Sequence, residues 1–173
     1  MRDKHNVAVI AHRNATRLNM NKAIRYMLGH TTGVLQAGEP LLVRRNNRNV
    51  GLSNGDITTF SGFCGSMPFG DAMLRLTRVG GVVAAIKPAA IFGDDIDVTF
   101  RNQAIMREQG TPYLMANLGY VMTCHNAQGS EWAKGCVALE RSLSAMPEEE
   151  RVRWAYTAET RFSEECTFSV IKE

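Results

Sequence analysis

The feature that most constrains the fold of this chain is a change of periodicity. An α/β pattern at each end encloses a long middle stretch of short, turn-punctuated β segments. Val7-Ala-Val-Ile-Ala11 is a short apolar run suited to a buried parallel strand. Asn14 is placed to cap a following helix, in which Leu18, Ala23, Ile24, Met27 and Leu28 recur at helical spacing, and Gly29 stands where it should stop. From about Gln36 to Arg107 the pattern changes. Leu41-Leu-Val43, Ile57 to Phe60, Ala72 to Val79, Val82 to Ile86 and Ile96 to Phe100 read as strands. They are separated by Asn46-Asn47, Ser53-Asn-Gly-Asp56, Gly80-Gly81 and Gly93-Asp-Asp95, while Ser61 to Gly70, with its glycines and proline, reads as loop. Strands so short and so spaced predict a small antiparallel barrel. After Thr111-Pro112 the α/β pattern returns, with Tyr120 to Thr123 and Cys136 to Leu139 as strands flanking a polar, glycine-containing loop. Pro147 followed by Glu148, Glu149 and Glu150 opens a helix that should run through Trp154 to about Arg161, and Cys166 to Ile171 is a last strand. The predicted fold class is α/β: a parallel sheet with helices in residues 1–35 and 109–173, interrupted by an inserted β-barrel in residues 36–108.

Composition narrows the function classes without choosing one. The chain has 173 residues, 45% hydrophobic and 21% charged, so it can bury a core like an ordinary globular protein. No apolar run approaches the roughly 18 residues that cross a bilayer, and the charged start leads only into the short run at Val7, unlike a signal peptide. The expectation is a cytoplasmic protein with no membrane partner. Cys64, Cys124, Cys136 and Cys166 form no C-x-x-C pair, so no metal site is expected. A net charge of +3 permits an anionic partner without requiring one.

Three segments resemble the C-terminal motifs of superfamily 1 helicases, especially the RecD-like and Dda-like DNA helicases, the type of the exodeoxyribonuclease V alpha subunit. Val7-Ala-Val-Ile-Ala-His-Arg-Asn-Ala-Thr-Arg-Leu-Asn19 resembles motif IV, a strand that ends in a polar turn and a helix. Tyr120-Val-Met-Thr-Cys-His-Asn-Ala-Gln-Gly-Ser-Glu-Trp132 resembles motif V, usually T-x-H-K-x-Q-G-S-E. Tyr156-Thr-Ala-Glu-Thr-Arg161 resembles motif VI, usually Y-T-A-x-T-R. Between the first two, Gly38 to Asn47 and Leu52 to Asp56 are similar to the start of the barrel that these enzymes insert. Each motif alone is a weak signal; together, in order, they cover nearly the whole chain.

The resemblance implies a RecA-like second motor domain, the half of an ATP-dependent DNA helicase that closes on an ATP-binding N-terminal half. The phosphate-cradling loop G-x-x-x-x-G-K-S/T is missing from the sequence, so ATP and magnesium would be held mostly by that other half. This half would contribute an arginine finger toward the γ-phosphate, Arg161, with Arg13 as a second cation. Guanidinium suits the task because it stays charged and binds phosphate oxygens in pairs. Gln128, Gly129 and Glu131 would face the nucleotide cleft, and Thr123 and His125 would contact single-stranded DNA. Arg44, Arg45 and Arg48 would form a DNA-guiding surface on the barrel, although a charged hairpin tip is ordinarily a solvated edge. Arg161 has its own plain reading, a helix C-terminal arginine favoured by the dipole. Trp132 and Trp154 are candidates for base stacking, with core packing the alternative for Trp154.

Three departures from the family pattern stand out: Asn126 replaces the usual lysine of motif V, Glu159 an apolar residue of motif VI, and Phe162 a common alanine. They keep open a second reading, a stand-alone module that binds single-stranded nucleic acid or a partner without motor activity. An RNA helicase fragment is a third, since nothing in the sequence separates ribose from deoxyribose.

Overall fold

The computed structural model describes residues 7–30, 35–48, 51–66, 72–76, 83–86, 114 and 116–171. It divides into two compact units, one formed by Met1–Met27 with Tyr120–Glu173 and the other by Leu28–Gly119. The two units divide at 27/28 and at 119/120. The later border follows from strand pairing, because Ala116–Leu118 pairs with Pro40–Val43 and so belongs to the inner unit.

The first unit is an α/β layer. Its strands β1 (Val7–Ala11), β7 (Val121–Thr123), β8 (Trp132–Leu139) and β9 (Phe162–Val170) form a sheet in the order β7-β1-β8-β9, parallel at every described pairing. The register sets Ile10 beside Met122 and Val137, all fully buried on one face. Ala11, Val121 and Ala138 are buried with Val9, Met20 and Ile24 packed against them. Ile10 and Ala11 point to opposite faces of β1 and both are buried, and a strand covered on both faces reads as a continuous apolar run. Helix α1 (Asn14–Met27) starts after the His12-Arg13 turn, and Gly29, at φ +79°, follows its end. Its apolar residues do not define its buried side. Thr16, Arg17, Asn21 and Arg25 are buried, whereas Met27 is 82% exposed. Asn21 explains part of this: its amide donates to the Val121 carbonyl at 2.9 Å and accepts from the Val121 N–H at 3.2 Å, satisfying the outer edge of β7.

Motif V does not run straight from strand to loop. A short helix α2 (Cys124–Ala127) intervenes, and β8 begins at Trp132, four residues earlier than the expected Cys136. A 3₁₀ turn (Arg141–Ala145) leads from β8 toward α3 (Glu148–Glu159), whose first turn carries three glutamates at the positive end of the helix dipole. β9 starts at Phe162 rather than Cys166, directly after Arg161.

The second unit contains β2 (Pro40–Val43), β3 (Ile57–Ser66), β4 (Ala72–Leu76), β5 (Val83–Ile86) and β6 (Ala116–Leu118), in the order β5-β4-β3-β2-β6. All described pairings are antiparallel. Leu41, Leu42, Val43, Phe60 and Leu114 are its most buried apolar side chains. The expected loop over Ser61 to Gly70 is corrected in its first half, where β3 continues to Ser66. Register shifts between Phe60 and Gly62 and between Phe63 and Gly65, with Gly62 at φ +143°, let the strand absorb its glycines as irregularities. The strand expected over Ile96 to Phe100 lies outside the described residues. Among the described residues no helix is long and apolar enough to cross a membrane.

Candidate functional site

The polar turn after β1 is organised by a residue that none of the sequence motifs contains. Glu140 follows the last residue of β8, and its side chain is fully buried. Its Oε1 accepts the backbone N–H of His12 at 2.6 Å and of Arg13 at 2.9 Å. Its Oε2 accepts Arg13 Nε–H at 2.9 Å and the Thr16 hydroxyl at 2.7 Å, with a longer 3.4 Å contact from the Ser142 hydroxyl. Burial pushes this carboxyl up, but the Arg13 backbone N–H, the Thr16 hydroxyl, the Arg13 guanidinium and the His12 N–H outweigh it and hold the group below the usual carboxylate range. Glu140 thus fixes the turn that enters α1, accepting the N–H groups of the two residues before the helix, and Asn14, expected to cap, is itself the first helical residue. Asn14 Oδ1 instead accepts Arg17 Nε–H at 3.3 Å. His12 lies edge-on to Trp154 of α3, with ring centroids 5.4 Å apart and planes at 81°. That contact gives Trp154 a packing role.

Arg161 sits in a second group. The Trp132 N–H donates to the Arg161 carbonyl at 2.9 Å, so the chain leaving the motif V turn is bonded to the end of motif VI. Arg161 Nη2 donates to Thr160 Oγ1 at 3.3 Å, while Arg161 Nε is buried with no hydrogen-bond partner among the described residues. The guanidinium also lies close enough to Cys124 to act on its thiol. Burial raises that thiol's pKa and the Arg161 charge opposes the rise. Arg161 is therefore not simply a solvated C-terminal cation, because one of its donors is turned inward and unused.

Between these groups lies the rest of motif V. Thr123 is buried, and its hydroxyl oxygen accepts Asn126 Nδ2 at 2.8 Å. Asn126, which stands where a lysine is usual, is thus spent on holding Thr123. His125 is exposed on α2. Gln128 and Glu131 are exposed, and Gly129 adopts φ +84°, a left-handed turn that other residues rarely take. The Ser130 N–H closes the turn on the Ala127 carbonyl at 3.1 Å. Trp132 is buried and packs at 6.3 Å from the Phe162 ring, so it is not offered as a surface for base stacking.

The three arginines of the inner unit are not alike. Arg45 and Arg48 are exposed, but Arg44 is partly buried, with burial lowering its pKa and Nη1 lacking a partner among the described residues. The tip itself is tied by paired backbone hydrogen bonds between Asn47 and Leu52 and by the Asn54 N–H donating to Asn46 Oδ1 at 2.7 Å.

This architecture has known relatives. The model of the UvrD-like helicase C-terminal domain matches residues 118–168. The whole chain is similar in fold to Pif1 helicase from Bacteroides in complex with ADP-AlF3 and ssDNA, with a TM-score of 0.57 at 13% identity over 99% of this chain and 44% of that one. Bacteroides Pif1 bound to ssDNA gives a TM-score of 0.54 at 12% identity, over 99% and 42% of the two chains. Pif1 helicase from Candida albicans gives 0.53 at 9%, over 97% and 46%. No curated protein matches. The chain is similar in fold to these Pif1 helicases, and it spans less than half the length of the Pif1 chains.

Proposed function

We propose that this chain is the C-terminal motor half of an ATP-dependent superfamily 1 DNA helicase, of the RecD-like and Dda-like kind. It works against an ATP-binding N-terminal half, and its inner unit is the barrel that such enzymes insert. The observation that carries this reading is the meeting of motifs V and VI, where the Gly129 turn leads to Trp132 and Trp132 bonds the Arg161 backbone. The matched helicase model spans both motifs.

In this reading Arg161 is the arginine finger. Its guanidinium keeps its charge and would serve a phosphate oxygen presented by the other half. Arg13 supplies the second cation, and Gln128, Gly129 and Glu131 line the nucleotide side of the same turn. Thr123 and His125 face single-stranded DNA, with Arg44, Arg45 and Arg48 guiding the strand along the inner unit. ATP with magnesium supplies the transferable phosphoryl group, while the residues here orient it and offset its charge. Because α2 joins Thr123 to the Gly129 turn, a shift of that turn moves the DNA-facing hydroxyl as well. That is a direct route for coupling nucleotide state to grip.

The test is Arg161→Ala in the full-length enzyme. ATP turnover should fall on the order of 10³-fold or more, with affinity for a single-stranded oligonucleotide nearly unchanged. Unchanged turnover would refute the assignment. The 173-residue chain alone, which has no phosphate-cradling loop, should bind single-stranded DNA in a salt-dependent way without hydrolysing ATP.

A further inference from the structure

The Glu140 carboxylate divides its work between two oxygens. Oε1 takes two backbone N–H groups and shapes the turn, whereas Oε2 takes the Nε–H of Arg13 and the Thr16 hydroxyl. Shaping the turn needs only the first oxygen. The second grips a side chain that is 44% exposed, while Glu140 itself is fully buried. An exposed arginine normally samples many rotamers, and ordering it has an entropic cost. Here one flank of the guanidinium is anchored from inside the fold. The anchor sits at the end of β8, the strand beside β1, so it moves with the sheet and not with a loop. His12, the neighbour of Arg13, is held at the same place by Trp154 and by a 3.4 Å contact between Nδ1 and Ser142 Oγ.

We propose that Glu140 is the positioning residue for Arg13, holding the guanidinium plane in one orientation at the start of α1 so that the cation meets a phosphate already aligned. The inference rests on the reading above, in which Arg13 faces the nucleotide. Glu140 touches no substrate and acts through Arg13. Preorganisation of this kind matters because a cation that must reorient at the moment of reaction gives back part of its electrostatic effect.

Glu140→Gln separates the two oxygens. The amide oxygen can still accept the His12 and Arg13 N–H groups, but its NH2 faces Arg13 Nε–H, donor against donor. The turn should survive and the Arg13 Nε–H should lose its acceptor. In the 173-residue chain, NMR exchange of Arg13 Nε–H with water should accelerate on the order of tenfold or more in the variant, as local opening becomes easy. The backbone amides of His12 and Arg13 should stay protected. In the full-length enzyme, kcat should fall toward that of Arg13→Ala with the KM for ATP and DNA affinity retained, and the double variant should be no worse than Arg13→Ala alone. Arg13→Lys, which keeps the charge and every Glu140 backbone bond but has no Nε, should lose kcat in the same way. An unaltered Arg13 Nε–H exchange in Glu140→Gln overturns the inference, as does wild-type turnover in Glu140→Gln or Arg13→Lys when Arg13→Ala is impaired. Wild-type turnover in Arg13→Ala itself would show that the underlying reading of Arg13 is at fault, and the inference would fall with it.

Discussion

Replacing Glu140 by alanine should destabilise the α/β unit more than any other loss of a single charged side chain described here. The substitution strips acceptors from two backbone N–H groups at the start of α1, from the Thr16 hydroxyl and from Arg13 Nε. A donor left without a partner away from water costs roughly 1–3 kcal/mol, with the lower end apt here because the two backbone bonds are only part-buried. The Arg13 contribution is small, because a guanidinium 44% exposed regains water when released. The two N–H groups and the hydroxyl together put the loss at about 3 kcal/mol. With a urea slope of roughly 2 kcal/mol/M for a unit of this size, the midpoint should drop by about 1.5 M. Both tryptophans, Trp132 and Trp154, belong to this unit, and Trp154 touches the His12 turn, so their fluorescence follows its unfolding. Acidity supplies an internal control. Glu140 is held below the usual carboxylate range in the folded chain, so its contribution is fully present above the unfolded carboxyl value. It is lost as pH falls through the lower folded value, and the gap between wild type and alanine variant should narrow there. A midpoint within about 0.3 M of wild type, or a gap that stays constant through that acid range, would refute this role of Glu140.

Two further substitutions probe how the sheet is built. At Gly135 an added Cβ would collide with the Ala8 carbonyl oxygen and the Phe162 ring. Gly135→Ala should therefore cost roughly 1–3 kcal/mol and lower the melting temperature by about 10 °C. Phe162→Ala should restore only part of that loss, because the Ala8 backbone remains; an unshifted melt in Gly135→Ala would contradict the geometry. Asn21→Ala removes both bonds to the buried Val121 backbone and should cost roughly 2–4 kcal/mol. Hydrogen exchange at the Val121 amide should accelerate accordingly, and an unchanged rate would mean that the edge of β7 is satisfied in another way.

The elements that pattern reasoning located are those whose side chains announce their surroundings. β1 is an uninterrupted apolar run because a central parallel strand is covered on both faces, and α3 opens with proline and three acids because its dipole favours them. What could not be read depends on partners distant in sequence. Glu140 looks like a solvated acid after a strand, since the groups it accepts lie 124 to 128 residues away. One signal was present: a carboxylate directly at the carboxyl end of an apolar parallel strand, the usual place for a working side chain in such sheets. Asn21 is a polar residue beside the apolar positions of α1, and it is buried because the edge strand β7 needs its backbone satisfied as much as its side chains covered. The glycines after Phe60 suggested a loop, but strand geometry tolerates them as register shifts, and only the pairing with β4 distinguishes the two.

The departures from the motif pattern take on different weights once their surroundings are known. Phe162 replaces a common alanine, and the space its ring occupies is provided by Gly135, where any Cβ would strike that ring. The Phe162 ring is thus accommodated by the missing Cβ at position 135, and the backbone link between Trp132 and Arg161 is intact. Asn126 does remove a cation from motif V, and its amide donates instead to the Thr123 hydroxyl oxygen. Glu159 is the departure that bears on Arg161, the arginine finger proposed above. It is exposed, and its charge acts on the Cys166 thiol, whereas Arg161 acts on Cys124. The two charges therefore work on different cysteines, one on β9 and one on α2. Glu159 and Arg161 form no ion pair among the described residues, and Arg161 Nε is buried. Glu159→Ala should consequently change turnover far less than Arg161→Ala does, and an effect of comparable size would mean that the carboxylate, and not the turn, governs the finger.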